Sequence, residues 1–213
     1  MAKGMLDPTV YGFREGLLDT VRRDMKVIPV QREDGELVGR VVRGELPGCE
    51  ARGTFRWESV GGAATVLGVR AATWRTGFGR LIAPTYDVRH WPDTVQDTEA
   101  PLPDPLDATL KDRWGENILY FAVAGEVDGR ELLVRDDWDG SVEVLDRTAD
   151  AATGRRGKQV VGRLHQGSLT HTRVTVDHGA GIERESALFG VMVLLPFARR
   201  VWERDSEIIG ELF

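Results

Sequence analysis

Apolar and polar residues alternate along most of this chain in short runs separated by glycine-containing turns. Alternation with a period of two places every second side chain on one face of a half-buried strand. Met25 to Gln31 and Leu37 to Arg43 form such runs on either side of Asp34-Gly35. Asp-Gly between two extended runs predicts a hairpin, since a two-residue turn of that kind needs positive φ at both positions. The same signal recurs at Asp128-Gly129, between Ile118–Val127 and Glu131–Arg135, and at Asp139-Gly140, before Val142–Arg147. Ala51–Trp57, Thr65–Arg70, Thr73–Ile82, Lys158–His165 and Thr170–Asp177 complete about ten predicted strands. No long helical pattern interrupts them, so an antiparallel meander is expected and a parallel α/β sheet is not.

Two segments carry helical spacing. Phe13, Leu17, Leu18 and Val21 predict a short amphipathic helix over residues 11–24, with Arg14, Glu15, Arg22 and Arg23 on its other face. Residues 183–204 predict a second helix, apolar on all sides from Ala187 to Ala198. Glu183 and Glu185 at its start and Arg199, Arg200 and Arg204 at its end complement a helix dipole. Pro196 is expected to kink it. A helix without a polar face must be enclosed. A barrel of its own strands, another chain and a membrane are the three enclosures to weigh, and the barrel is the simplest. Glu207–Phe213 is then a candidate closing strand. The expectation is one mostly β domain over residues 1–213, an antiparallel barrel of about ten to twelve strands around an apolar C-terminal helix.

Residues 92–112 break the pattern with four prolines and six acids against the single base Lys111. The segment reads as a long loop, with one helical turn from Asp104-Pro105 to Leu110. A solvated excursion, a lid and a docking strip for a basic partner all fit it.

Composition narrows the function. A net charge of −6 argues against a general nucleic-acid binder. Cys49 is the one cysteine, so no intrachain disulfide forms and a reducing, cytoplasmic compartment is the expected one. Its turn, Leu46-Pro47-Gly48-Cys49, holds no neighbouring base, which favours an inert thiol over a nucleophile. The twelve residues Ala187–Ala198 are too few to cross a bilayer, which takes about 20 residues. No transmembrane segment is expected, and no signal-peptide pattern opens the chain.

The strand–Asp-Gly–strand units, above all Arg135-Asp136-Asp137-Trp138-Asp139-Gly140-Ser141-Val142, carry a resemblance. Gln159–Leu164 and Thr172–Val176 continue in the same style, and the helix Ser186–Trp202 follows them. This plan resembles the tubby C-terminal-like superfamily, which takes in tubby domains, LURP-one-related proteins and phospholipid scramblases. The resemblance covers roughly residues 25–213 as a pattern, without a shared motif. It implies a twelve-stranded barrel around a central helix and leaves function open, since members of that family bind phosphoinositides, act at membranes or have no known activity. The scramblases' calcium segment and cysteine cluster have no counterpart here.

Candidate chemistry is sparse. A three-residue loop, Gln166-Gly167-Ser168, would align Leu164, Gly162 and Val160 with Thr170, Thr172 and Val174. The opposite face then gathers Arg163, His165, His171 and Arg173, a local basic patch suited to a phosphate or carboxylate. A plain solvated barrel face is the competing reading. His165 and His171, even with His178, make a poor metal site, and no cofactor is expected. Asp136, Asp137 and Asp139 lack the ligand spacing of an EF-hand and fit a hairpin turn better. Gly61-Gly62 and Gly77-Phe78-Gly79-Arg80 match no phosphate loop, and Gly-x-Ser-x-Gly is absent. The leading expectation is a non-enzymatic protein that recognises an anionic lipid headgroup or another protein, cytoplasmic or peripheral at a membrane. A calycin-like barrel with an internal ligand cavity, to which the six tryptophans would contribute, is the first alternative. An enzyme with a site under the 92–112 loop is the second.

Overall fold

A computed structural model describes residues 9–14, 25–70, 73–76, 79–82, 85–92, 105–112, 121–137, 141–149, 157–168, 171–177 and 180–210. Fourteen strands precede one helix among them. The first eight are β1 (Thr9–Arg14), β2 (Ile28–Arg32), β3 (Leu37–Arg43), β4 (Thr54–Ser59), β5 (Ala64–Arg70), β6 (Thr73–Thr76), β7 (Gly79–Ile82) and β8 (Thr85–Trp91). Then come β9 (Leu106–Asp112), β10 (Ala122–Val127), β11 (Arg130–Asp136), β12 (Val142–Asp146), β13 (Gln159–Ser168), β14 (His171–Val176) and the helix α1 (Ala187–Gly210).

Twelve of the strands close an antiparallel barrel in the order β1-β14-β13-β12-β11-β10-β9-β8-β5-β4-β3-β2. Each pairs with its neighbour in the chain except at two places. The hairpin β6–β7 is inserted between β5 and β8, and β1 joins β14 from Thr9↔Val176 to Arg14↔His171. Full closure leaves the barrel no open sheet edge. At Asp128-Gly129 both residues have positive φ, 53° and 72°, as a tight two-residue hairpin requires. At Asp34-Gly35 only Gly35 does, and the wider loop is closed by the Arg32 N–H bonding the Glu36 carbonyl at 2.8 Å.

The apolar stretch of α1 fills the barrel. Every residue from Ala187 to Phe197 is buried, and all but Gly190 and Pro196 belong to the main apolar cluster, with Val41, Leu67, Leu110, Leu132 and Val174 from the strands. Phe189 meets Tyr11 edge-on at 4.9 Å and lies 5.7 Å from Trp57. About two turns further, Phe197 stacks on Phe13 at 5.4 Å and tilts against Phe55 at 5.0 Å. Burying a side chain of this size contributes about 1.5–3 kcal/mol. Two glycines set how closely the helix approaches the wall. A Cβ on Gly190 would lie 2.0 Å from the Thr65 hydroxyl oxygen, and one on Gly162 would lie 1.9 Å from the Met192 methyl carbon. With the interior occupied, the calycin-like reading loses its cavity.

Several expectations are corrected. Residues 11–14 belong to β1 and not to a helix; residues 15–24 lie outside the described part. Tyr11 and Phe13 point inward at strand spacing, because pairing with both β14 and β2 is what closes the barrel. The run 73–82 is a hairpin of two strands. Strand β8, not expected at all, alternates Tyr86, Val88 and His90 inward with Asp87 and Arg89 outward. In place of the helical turn expected from Asp104-Pro105 to Leu110 stands β9: Leu110 is buried beside β8 while Asp107 is exposed and accepts from Arg89 at 2.7 Å. The expected closing strand 207–213 is helix as far as Gly210, since β1 already occupies the closing position. The helix starts at Ala187, later than the expected 183, after the Ser186 hydroxyl accepts a bond from the Phe189 N–H at 3.2 Å.

A candidate anion site at the barrel mouth

Strands β13 and β14 pair as Leu164↔Val174, His165↔Arg173 and Gln166↔Thr172, with a register shift before Ser168↔His171. The expected register differs from this by four residues. Strand β13 runs through Gln166-Gly167-Ser168 instead of turning there. A slip by an even number preserves the faces, because side chains alternate with a period of two. Leu164, Thr172 and Val174 are therefore buried, while Arg163 and His165 are half-buried and Arg173 is exposed. His171 opens β14 at the position opposite Ser168; its side chain and all of His178 fall outside the described part.

The basic patch is less one-sided than its sequence. Glu143 of β12 pairs with both Arg163 of β13 and Arg135 of β11. Its carboxylate accepts from Arg163 at 2.7 Å and from Arg135 at 3.5 Å. Two arginines thus share one acid, and the group keeps a positive charge. No described residue forms an ion pair with Arg173, which faces Gly12 across the β1–β14 seam.

The helix adds two arginines that sequence spacing did not bring to this place. Where α1 leaves the barrel, Arg199 and Arg200 join His165, Thr172, Leu164 and Pro196 around a small pocket. The volume open within it is about 20 Å³. Arg199 sits 3.4 Å from the Asp136 carboxylate at the end of β11. Burial pushes the Asp136 carboxyl above its ordinary range, and the Arg199 charge and a bond from the Phe121 N–H, at 3.1 Å, pull it back. Asp136 is the acid paired with the helix here; Glu143 stands further out on the wall.

Arg199 and Arg200 do not complement the helix dipole, because the helix continues to Gly210 and their position is interior. The sequence did hold a signal for their role. Two adjacent arginines directly after the apolar run mark where the helix emerges from its enclosure.

Other candidates resolve into structure. Cys49 lies 3.7 Å from the Asp87 carboxylate, which also accepts from Arg70 and, at 3.2 Å, from the Thr109 hydroxyl. Burial first, and then the Asp87 charge, push the thiol up to about 11, which suppresses the nucleophilic thiolate. Among the described residues no three His, Cys, Asp or Glu side chains group as metal ligands. At the opposite mouth a wide groove of about 420 Å³ is lined by Tyr11, Arg32 and Arg184 among others. Glu36 pairs with both of its arginines, at 3.0 Å and 3.2 Å, and Asp34 pairs with Arg32 as well. Glu183 and Glu185 also line the groove, so that end carries more acid than base.

Among the described residues no helix is long and apolar enough to cross a membrane. No family model matches the chain, and neither a curated protein nor a solved structure does.

Proposed function

We propose that this protein is a non-enzymatic binding barrel that recognises an anionic lipid headgroup at a membrane surface, through the outer face of β13 and β14. The observation that carries the reading is the shared outward side of Arg163, His165 and Arg173, next to the mouth where Arg199 and Arg200 emerge. Arginine suits this work because its planar guanidinium donates two parallel bonds to a phosphate or carboxylate. An exposed cationic face also steers an acidic protein to a negative surface despite its net charge. A barrel around a helix is the plan that the resemblance to the tubby C-terminal-like superfamily implies, and some members of that family bind phosphoinositides or act at membranes. In this reading the protein is cytoplasmic and peripheral, and it uses no cofactor.

Charge reversal tests the reading. The double variant Arg163→Glu, Arg173→Glu is expected to lose co-sedimentation with anionic vesicles at low salt while melting as a folded barrel. Undiminished binding by that variant sinks the proposal.

A further inference from the structure

The hairpin β6–β7 takes no part in closing the barrel, because β5 and β8 pair directly with each other. We infer that this ribbon, which sets Arg75 opposite Arg80 and Trp74 opposite Leu81 beyond the helix-exit mouth, docks in the headgroup layer of an anionic membrane. The inference rests on the proposed reading, that the protein meets such a membrane, and adds a second contact to it.

Register locates the ribbon. Strands β5 and β8 pair from Ala64↔Trp91 to Arg70↔Thr85, and β6 and β7 continue in the same step from Thr73↔Ile82 to Thr76↔Gly79. The four strands are therefore one long hairpin, and its base is barrel wall. The wall on either side stops earlier: β4 pairs with β5 no further than Gly68, and β9 with β8 no further than Thr85. Thr76 lies six residues beyond Arg70, a reach of about 20 Å in extended chain. The helix shows which rim this is. Gly190 lies against Thr65 and Phe197 against Phe55, whose partner is Leu67, so α1 advances along β5 toward Arg70. The ribbon leaves by the mouth where α1 does, and His165 of the outer face lies at that mouth too.

Its residues select the partner. Among the described strands neither β6 nor β7 pairs with a third, and a two-stranded ribbon by itself is marginal in water. The chain from Ser59 to Tyr86 contains no acid, and Arg75 and Arg80 are the only charged residues from 71 to 84. Like charges directly opposite destabilise a strand pair, and an anion shared by two guanidinium groups reverses that cost. A layer of lipid phosphates supplies such anions. Trp74, in the neighbouring pair, is of the residue type that settles at headgroup level. A second copy of the chain fits less well, because pairing edge to edge would bring two more arginines into the same strip. Depth is limited as well. Open backbone N–H and C=O groups along a ribbon edge are not tolerated in hydrocarbon, so the ribbon stops among the headgroups.

The test puts a reporter on the ribbon of the full chain. Thr76→Cys in a Cys49→Ser background is labelled with the environment-sensitive dye NBD. It is mixed with vesicles of phosphatidylcholine, with or without phosphatidylserine. Glu33→Cys, in the turn after β2 at the opposite rim, carries the control label, since the neighbouring Arg32 pairs with Tyr11 beside Phe189 at the helix start. On anionic vesicles the label at position 76 is expected to brighten several-fold. A quencher at the headgroup should dim it more than one deep in the acyl chains, and the label at position 33 should not respond. Arg75→Glu, Arg80→Glu is expected to weaken co-sedimentation by about tenfold or more at an unchanged urea midpoint. Vesicle binding with a silent label at position 76 overturns the ribbon contact and leaves the outer face standing. A full response at position 76 in the Arg163→Glu, Arg173→Glu protein keeps the ribbon and ends the outer-face reading. Brightening that rises with protein concentration in the absence of vesicles assigns the ribbon to a second copy and overturns membrane docking. An equal response on phosphatidylcholine alone overturns the anionic contact as well.

Discussion

Gly190→Ala is the most direct probe of how α1 sits in the barrel. Taken alone, alanine stabilises a helix over glycine by about 1 kcal/mol. Here its methyl carbon would start 2.0 Å from the Thr65 hydroxyl oxygen and 2.5 Å from the Thr65 Cβ, where ordinary contact begins at 3.4 Å. The helix cannot step aside freely. Phe189 is held between Tyr11 and Trp57, and Phe197 between Phe13 and Phe55. Thr65 cannot rotate away freely either, because its hydroxyl is bonded to His90 Nδ1 at 2.9 Å in the buried wall. Overpacking of this kind costs about 1–3 kcal/mol, and disturbing the Thr65–His90 bond adds about 1 kcal/mol. The balance is a net loss of about 1–3 kcal/mol. Urea denaturation followed by tryptophan fluorescence reads it as a lowered midpoint at unchanged slope. A double-mutant cycle with Thr65→Gly should show a coupling of at least about 1 kcal/mol, since removing the Thr65 side chain removes the obstacle. A Gly190→Ala protein more stable than wild type by the helix-propensity increment would refute the packing of α1 against β5.

Three further perturbations have defined signs. Burial lowers the His90 pKa below its ordinary 6.5, against a smaller opposing pull from Asp128, so its stabilising contribution is complete above pH 6.5 and lost as pH falls through the lowered value. His90→Gln should flatten that limb of the stability–pH curve, while Asp136, raised by burial, acts in the opposite direction in both proteins. Cys49 should react slowly with iodoacetamide at neutral pH, with an inflection near 11; an inflection at the ordinary value near 9.0 would mean that the thiol is neither buried nor beside Asp87. Glu143→Gln frees Arg135 and Arg163 of their shared acid and should tighten binding to anionic vesicles several-fold, an increase that vanishes in high salt. Weaker binding in that variant would place the anion elsewhere.

The parts of the fold that were legible are those where one physical signal dominates. The apolar run Ala187–Phe197 admits few solutions other than enclosure, and its burial follows. Alternation around the positive-φ turn Asp128-Gly129 located β10 and β11, and alternation after Asp139-Gly140, which lies outside the described part, located β12, to within a few residues. The illegible parts are those where two signals compete. In β1 the pair Tyr11 and Phe13 shares residues with a helical spacing that extends to Val21, and only pairing with distant β14 decides between them. In β9 the acids hid the alternation of Leu106, Ala108 and Leu110, although the exposed face of a strand accepts Asp107 readily. The basic face was legible because parity alone fixes it, so an error of four residues in register left Arg163, His165 and Arg173 together. Arg199 and Arg200 were not, since their place depends on how far the helix runs through the barrel.

The seam between β1 and β14 sets the order in which this protein can be made. As the chain leaves the ribosome, β1 emerges first among the described strands, and its partner β14 follows only after twelve other strands of the barrel and inserted hairpin. The helix that supplies the centre of the core comes later still. Until it arrives, the nascent sheet is a curved surface with its oily side uncovered and two unmatched borders. Contacts between such distant parts of a chain form slowly. The long wait exposes strand borders to neighbouring chains. Truncation before Ala187 removes the step that completes the molecule.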